Sequence, residues 1–199
     1  MQPTPEPKKH KPYSNILFDI EAFIGSDSHS FIPCLLVAIV TCNQCESIFY
    51  LEFECANCGK RLVKFYNEPS SGRSLMSNFL LFLDAFQRKT KNAVYLTGFN
   101  NSRYDNLFVW EELLNDGLQL LTGAPLRKGT SINTLKIGNI TLRDLCLFIP
   151  TKLRSLPTMF KLDTDIRKGY FPYTFLNSFE SLDYVGNFPD SSYFDTHKY

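Results

Sequence analysis

The chain has 199 residues, 44% of them hydrophobic and 15% aromatic, which is enough apolar material for one packed domain. Its formal net charge is only +1, so contact with nucleic acid would depend on local groups and metal ions rather than on an overall basic field. No apolar run reaches the roughly 20 residues of a membrane span, and the N-terminus has no signal-peptide pattern. These features predict an intracellular, soluble protein without a membrane partner.

The N-terminal third is predicted to contain consecutive strands. Residues 1–13 combine prolines with a cluster of lysines and are predicted to form a disordered basic lead-in. Folding should begin near Ser14, with a short buried strand at residues 15–23. The runs FIPCLLVAIVTC, residues 31–42, and ESIFYLEFE, residues 46–54, predict two more strands.

Four of the six cysteines form two C-x2-C pairs separated by nine residues: Cys42, Cys45, Cys55 and Cys58. Four thiolates at this spacing are typical of a tetrahedral structural zinc site, and we expect it in a β-hairpin at about residues 40–62. A disulfide pair or four unrelated cysteines are the alternatives, which an intracellular setting disfavours. Cys34 and Cys146 lie in apolar runs and are interpreted as buried residues without a function.

The middle of the chain alternates helices and strands. Residues 75–91 have apolar side chains at helical spacing and a basic end, which predicts a helix. The apolar run at residues 93–99 predicts a buried strand, and a polar turn leads from it into a second helix at residues 106–115. This alternation is typical of a mixed α/β sheet with flanking helices.

The C-terminal half begins with three short strand candidates, at residues 118–123, 132–138 and 140–149. Gly138 and Asn139 predict a tight turn between the last two. Residues 151–162 predict a short helix that Pro157 interrupts, and the chain after Lys168 is expected to be ordered loop.

Asp19 and Glu21 are two residues apart on a predicted strand, so both side chains leave the same face of the sheet. Adjacent carboxylates repel each other, and a divalent cation with hard oxygen ligands would offset that repulsion. The alternative is a half-exposed strand that shows two acids to water.

Asp105 lies about 80 residues later, where the third predicted strand runs through a polar turn into the second helix. Its ordinary role would be to cap that helix. Asn100 and Asn101 could be turn residues. Taken together, however, the acid pair and Asp105 resemble the first two motifs of the DEDD-type 3′–5′ exonucleases, whose fold is similar to ribonuclease H.

The resemblance is most specific near the C-terminus. Asp144, on a predicted strand, is followed by FIPTKLRSLPTMFKL and then by KGYFPY, residues 168–173. This order is similar to that of the protein-primed family B DNA polymerases of linear plasmids, viruses and Maverick/Polinton mobile elements. The similarity covers about residues 15–190. It implies the 3′–5′ proofreading exonuclease region of a DNA-directed DNA polymerase (a nucleotidyltransferase) that acts in DNA replication.

The fold that this resemblance implies is an α/β ribonuclease H-like mixed sheet with flanking helices and an inserted zinc-binding β-hairpin, within residues 14–199. The family's last carboxylate motif is Y-x3-D, and no tyrosine in this sequence has an aspartate four positions on. We therefore expect an incomplete exonuclease domain without the polymerase domain, inactive alone: a fragment, a truncated gene model or a decayed copy.

The resemblance also implies roles for individual residues. Two Mg²⁺ or Mn²⁺ ions would be held with Asp19 between them, Glu21 on the nucleophile side and Asp105 on the other side, directly or through water. Tyr104 would stack on the frayed primer end, and Asn100 or Asn101 would hydrogen-bond that strand.

Two further residues follow from the same resemblance. Lys168 would lie near the scissile phosphate, although a solvated surface lysine is the alternative. Asp144 would contact DNA near the active site; relatives usually carry serine after it, where this chain has Leu145. The implied partners are the single-stranded 3′ end of a primer and a terminal or priming protein.

Two other functions remain open from the sequence. The chain could be a catalytically dead nucleic-acid-binding module that retains the fold and the zinc. It could also be a free-standing DEDD nuclease in which another residue replaces the missing aspartate.

Overall fold

The computed structural model describes residues 11–25, 30–67, 72–162 and 171–194, without the side chains of residues 116–118. The lead-in predicted for residues 1–13 lies outside this part except for its last three residues, and Tyr13 already begins the first strand. None of the helices in the described ranges is long and apolar enough to cross a bilayer.

The secondary structure is a mixed α/β arrangement, as the alternation of elements in the sequence predicts. The strands are β1 (Tyr13–Ile24), β2 (Phe31–Cys42), β3 (Glu54–Cys55), β4 (Gly59–Lys60), β5 (Leu62–Tyr66), β6 (Ala93–Gly98), β7 (Leu126–Lys128), β8 (Ser131–Thr134), β9 (Lys136–Ile137) and β10 (Ile140–Asp144). The α-helices are α1 (Leu75–Thr90), α2 (Asp105–Glu112), α3 (Leu145–Phe148) and α4 (Leu156–Met159).

A six-stranded sheet forms the centre of the described fold, in the order β5-β2-β1-β6-β10-β9. β2 pairs antiparallel with both β1 and β5, whereas β6 runs parallel to both β1 and β10. Because β1, β6 and β10 point the same way, their carboxyl ends meet at one edge of the sheet. In open α/β sheets, ligands commonly bind at this edge.

α1 covers one face of the sheet and forms much of the core. Ser74 caps the helix by accepting a hydrogen bond from the backbone N–H of Ser77, and the chain leaves the helix at Lys91 in a left-handed conformation. Phe79 is fully buried and its ring lies 5.8 Å from that of Phe18 on β1. Alternate residues of β1 therefore point into the core, and the residues between them, including Asp19, point away.

Two strand predictions were wrong. Residues 46–54 form turns rather than a strand, and only the last of these residues belongs to β3. Phe49 and Leu51 alternate with other residues in the pattern of a strand. Both side chains are nevertheless exposed, because the two cysteine pairs bend the chain back on itself. Residues 118–123 form a turn of 3₁₀ helix and a single bridge from Leu121 to Ile137.

Two boundaries also differ from the sequence prediction. The strand predicted for residues 140–149 ends at Asp144, whose side chain caps α3 by accepting from the N–H of Cys146. Pro157 lies in the first turn of α4 rather than interrupting a helix, and proline is tolerated there because that N–H has no helical partner. The predicted tight turn is confirmed: Gly138 has φ +59° between β9 and β10.

Residues 171–194 contain only loops and short 3₁₀ turns, as predicted for this part of the chain. They return to the carboxyl end of β1, where Phe179 packs edge-on against Phe23 with ring centres 5.4 Å apart. This packing brings the C-terminal loops next to the acid pair of β1.

Candidate functional site

The three carboxylates predicted as metal ligands, Asp19, Glu21 and Asp105, line one cavity at the carboxyl edge of the sheet. The cavity has a volume of about 670 Å³. Asp19 is exposed and Glu21 is half-buried on β1, and Asp105 enters from the start of α2. Asn100, Tyr104 and Tyr173 also line the cavity.

Asp105 is the most buried of the three carboxylates, at 8% exposure. Its Oδ1 accepts a hydrogen bond from the backbone N–H of Ile20, 3.1 Å away, which places Asp105 directly beside the acid pair. Burial raises the pKa of Asp105 to about 7, and the nearby charges of Asp19 and Glu21 add to the effect. The site therefore concentrates negative charge, which a cation would stabilise.

Tyr173 is a member of the site that the sequence did not single out. Its hydroxyl donates to Glu21 Oε2 at 2.7 Å, across 152 residues of sequence. The available signal was the segment KGYFPY, of which Tyr173 is the last residue. Lys168, the first residue of that segment, lies outside the described residues, so its predicted place near the phosphate stays a prediction.

The two candidate asparagines differ in what they face. Asn100 lines the cavity and has φ +61°, a left-handed conformation that asparagine adopts more readily than most residues. Asn101 is fully buried, and its Nδ2 donates to Asn106 Oδ1 at 2.9 Å and to the carbonyl of Arg143 at 3.2 Å. Of the two, Asn100 is placed to meet a ligand, whereas Asn101 joins the loop to the core.

Tyr104 lies exposed at the rim of the carboxylate cavity. It lines the cavity immediately before Asp105, and 60% of its surface is exposed. An exposed aromatic ring beside a carboxylate-lined cavity offers a surface for stacking with an unpaired base.

Asp144 is only 1% exposed, and its carboxylate is occupied by backbone groups. Oδ1 accepts from the N–H of Asn100 at 2.8 Å and of Cys146 at 2.9 Å, and Oδ2 accepts from the N–H of Ser102 at 3.1 Å. Asp144 is not among the residues that line the cavity. An effect of this residue on DNA would therefore act through the loop that it holds.

The four cysteines of the C-x2-C pairs converge on one point, and all of them are buried and reduced. Their sulfur atoms all lie within 4.8 Å of one another, with 3.8 Å between Cys42 and Cys45, 3.9 Å between Cys42 and Cys55 and 3.5 Å between Cys45 and Cys58. Zinc bonds of about 2.3 Å in a tetrahedron place the sulfurs about 3.8 Å apart. The cluster therefore fits a tetrathiolate zinc ion.

The surroundings of the cysteines also suit a metal. Burial raises the pKa of the Cys55 thiol, but hydrogen bonds from the N–H groups of Cys58 and Asn57 outweigh it and bring that pKa to about 7. The Cys55 thiolate, the form that binds metal, is therefore accessible near neutral pH, whereas burial raises the pKa of the Cys45 and Cys58 thiols, so a metal would displace protons from those two. Gly59 supplies the left-handed turn after the second pair with φ +84°.

Arg61 is the buried support of the cysteine cluster. It is 4% exposed, donates to the carbonyl of Cys45 at 2.7 Å, and stacks on Phe53 with its guanidinium 5.6 Å from the ring centre. Among the basic residues beside the cluster, Lys60 and Lys64 are exposed. Arg61 thus joins the loop between the two cysteine pairs to the edge of the sheet.

The carboxylates differ from the cysteines in spacing. Among the described residues, only the cysteines form a group of three or more possible ligands close enough to hold one ion. Two catalytic metal ions lie about 3.5–4 Å apart, so carboxylates that flank such a pair need not be so close to one another. The hard oxygen ligands of Asp19, Glu21 and Asp105 fit Mg²⁺ or Mn²⁺ in their chemistry.

Comparison with known proteins gives one family. Residues 86–198, more than half of the chain, match the family described as DNA polymerase type B, organellar and viral. The match includes Asp105, Asp144 and Lys168 but neither the acid pair of β1 nor the cysteine cluster. No curated protein matches the chain significantly. The match confirms the resemblance to family B polymerases of the protein-primed type, and the chain belongs to the organellar and viral type B DNA polymerases.

Proposed function

We propose that residues 14–199 are the 3′–5′ proofreading exonuclease region of a DNA-directed DNA polymerase. The observation that carries this proposal is the placement of Asp19, Glu21 and Asp105 around one cavity at the carboxyl edge of the sheet. The raised pKa of Asp105 supports it, because strongly perturbed carboxylates in a cavity are a feature of functional sites. The mixed sheet, with three antiparallel strands followed by parallel ones, supports a ribonuclease H-like fold.

The three carboxylates would hold the metal ions on which the reaction depends. Two bound Mg²⁺ or Mn²⁺ ions would activate the attacking water and stabilise the leaving 3′ oxygen. Asp19 lines the same cavity as Glu21 and Asp105 and would be a ligand that the two ions share. The backbone N–H of Ile20 fixes Asp105, and the hydroxyl of Tyr173 fixes Glu21, so both ligands are oriented before a metal arrives.

Other side chains would position the DNA. Tyr104 stacks on the unpaired base at the primer end, and Asn100 hydrogen-bonds the strand beside it. Lys168 contributes a positive charge near the scissile phosphate. The substrate is a single-stranded 3′ end, because the exposed ring of Tyr104 can stack only on a base that is unpaired.

The cysteine cluster would bind a structural zinc ion. Four thiolates saturate a tetrahedral site and leave no open position for catalysis, so the metal stabilises the hairpin of β3 and β4. This hairpin has only two residues in each strand and little core of its own, so metal binding supplies the stability it lacks. A terminal or priming protein is the further partner that protein-primed synthesis implies.

The test is a pair of substitutions in a type B polymerase that contains these residues. Asp19→Ala with Glu21→Ala should abolish Mg²⁺-dependent 3′–5′ degradation of single-stranded DNA and leave nucleotide incorporation intact. The matched control is Glu52→Ala with Glu54→Ala, which removes two exposed carboxylates near the cysteine cluster. Degradation that persists in the acid-pair variant contradicts the proposal.

The 199 residues alone separate the proposal from the alternative of a free-standing nuclease. We expect little or no degradation of single-stranded DNA by the isolated chain, because it supplies only three of the family's carboxylates. Strong metal-dependent degradation that requires Asp19 would instead indicate a free-standing nuclease.

A further inference from the structure

Asp144 holds the loop of residues 99–104 through two hydrogen bonds and caps α3 through a third. It ends β10, which lies next to β6 with Asp144 opposite Gly98 in register. The loop starts directly after Gly98, so the carboxylate lies beneath its first turn. Both oxygens are used: Oδ1 by the N–H of Asn100 and Oδ2 by the N–H of Ser102, with Cys146 as the third donor.

The loop needs this support because its backbone is unusual. Asn100 has φ +61°, which is less favourable than an ordinary conformation for a residue with a side chain. A charged acceptor that binds the N–H groups on both sides of Asn101 stabilises this conformation. The second support is Asn101, which reaches the core through Asn106 and the carbonyl of Arg143.

The same loop carries the residues that face the cavity. Asn100 and Tyr104 both belong to it, and Asp105 follows at the start of α2. A shift of the loop would therefore move the proposed DNA-binding side chains, while Asp19 and Glu21 on β1 would keep their places. In enzymes, small displacements of positioning groups weaken substrate binding and reaction strongly.

We infer that Asp144 is a positioning residue for the single-stranded 3′ end: it fixes Asn100 and Tyr104 through the backbone and does not itself touch DNA. This inference rests on the proposed exonuclease function. It replaces a direct contact of Asp144 with DNA by an indirect one. The two alternatives predict different results in a double-mutant cycle.

The experiment measures binding of a fluorescent single-stranded oligonucleotide with a free 3′ end, in Ca²⁺, by the full 199-residue chain. Asp144→Asn keeps the size of the side chain but cannot accept all three hydrogen bonds, and it should weaken binding by about tenfold. Asn100→Ala should weaken it by a similar factor. If Asp144 acts through Asn100, the double variant should be little worse than either single variant, whereas a product of the two factors would overturn the inference.

Thr134→Val is the matched control. It removes a 2.7 Å hydrogen bond from Thr134 Oγ1 to the carbonyl of Leu142, which joins β8 to β10 without involving an atom of residues 99–104. It should lower stability to a similar degree without changing DNA affinity. A tenfold loss of affinity in this control would show that general destabilisation explains the effect, and it would overturn the inference.

Amide hydrogen exchange tests the loop without DNA. In the wild-type chain, the amides of Asn100 and Ser102 should exchange slowly, and Asp144→Asn should accelerate both while sparing amides at the centre of β6. Fast exchange of these two amides in the wild-type chain would overturn the inference even if Asp144→Asn does not fold. Slow exchange without any DNA binding by the wild-type chain would instead contradict the proposed function and, with it, the DNA role of Asp144.

Discussion

In the absence of Mg²⁺ and Mn²⁺, replacing Asp105 by asparagine should stabilise the chain, although it removes a proposed metal ligand. The pKa of Asp105 is raised from 3.8 to about 7 by burial and by the neighbouring charges of Asp19 and Glu21. A group whose native pKa is raised binds a proton more tightly when folded, so stability falls as pH rises between the two pKa values. Asparagine has the same shape and no charge, so its burial does not lower the stability as pH rises.

The size of the effect follows from the shift. Each pKa unit corresponds to about 1.4 kcal/mol, so the ionised carboxylate costs about 4 kcal/mol above pH 7. Linkage gives a smaller cost, about 2 kcal/mol, at pH 5, because much of the native carboxyl is still protonated there. The stabilisation by Asp105→Asn should therefore be larger at pH 8 than at pH 5 by about 2–3 kcal/mol.

The assay is urea unfolding at pH 5 and pH 8 with EDTA-free, Mg²⁺-free buffer, so that the cysteine cluster keeps its metal. Asp84→Asn is the control, since it removes an aspartate that pairs with Arg88 on the surface of α1. Adding Mn²⁺ at pH 8 should stabilise the wild-type chain and not the Asp105→Asn variant. Equal stabilities of the wild-type and Asp105→Asn chains at both pH values would refute the reasoning.

Three further predictions concern other parts of the molecule. The chain should bind one zinc ion per molecule in elemental analysis, and Cys45→Ser should abolish this binding and unfold residues 43–60. An unchanged zinc content of the variant would contradict a zinc site at the cysteine cluster. Gly98→Ala should destabilise the chain by about 1–3 kcal/mol in thermal unfolding, because a Cβ at residue 98 would meet the Asn101 side chain at 2.8 Å. Unchanged stability of this variant would contradict the close packing of Asn101 against Gly98. Tyr104→Ala should weaken binding of a single-stranded 3′ end by about 1–3 kcal/mol without lowering the melting temperature, and Tyr66→Ala, also exposed, should leave binding unchanged.

The sequence predicts those parts of the fold whose signals are local. A short stretch of sequence is enough to show the acid pair of β1, the apolar face of α1 and the spacing of the four cysteines. Each of these features appears where it was predicted. The strand predicted for residues 46–54 is wrong. Phe49 and Leu51 alternate with other residues as in a strand, but the cysteine pairs set the path of the chain. Local pattern therefore fails where contacts between distant cysteines set the path of the chain.

The rest of the site depends on contacts between distant residues. Tyr173 meets Glu21 across 152 residues, and Asp144 binds loop amides more than 40 residues away, so neither contact has a sequence signal. The choice between Asn100 and Asn101 could not be made from spacing to Asp105, because it depends on the left-handed conformation of Asn100. Asp144, Asn100 and Asn101 were candidates in the sequence and Tyr173 was not, but only tertiary structure separates those that face the cavity from those that support it.

The most direct test of the central claim is metal-dependent recognition of a 3′ end by this chain. Linear single-stranded DNA should bind more tightly than a circular strand of equal length and sequence when Mn²⁺ or Ca²⁺ is present, and the preference should vanish without metal. Asp19→Asn with Glu21→Gln should abolish the preference for linear DNA. Equal affinity for linear and circular DNA, unaffected by metal or by that double variant, would contradict the assignment of the carboxylate cavity as the exonuclease site.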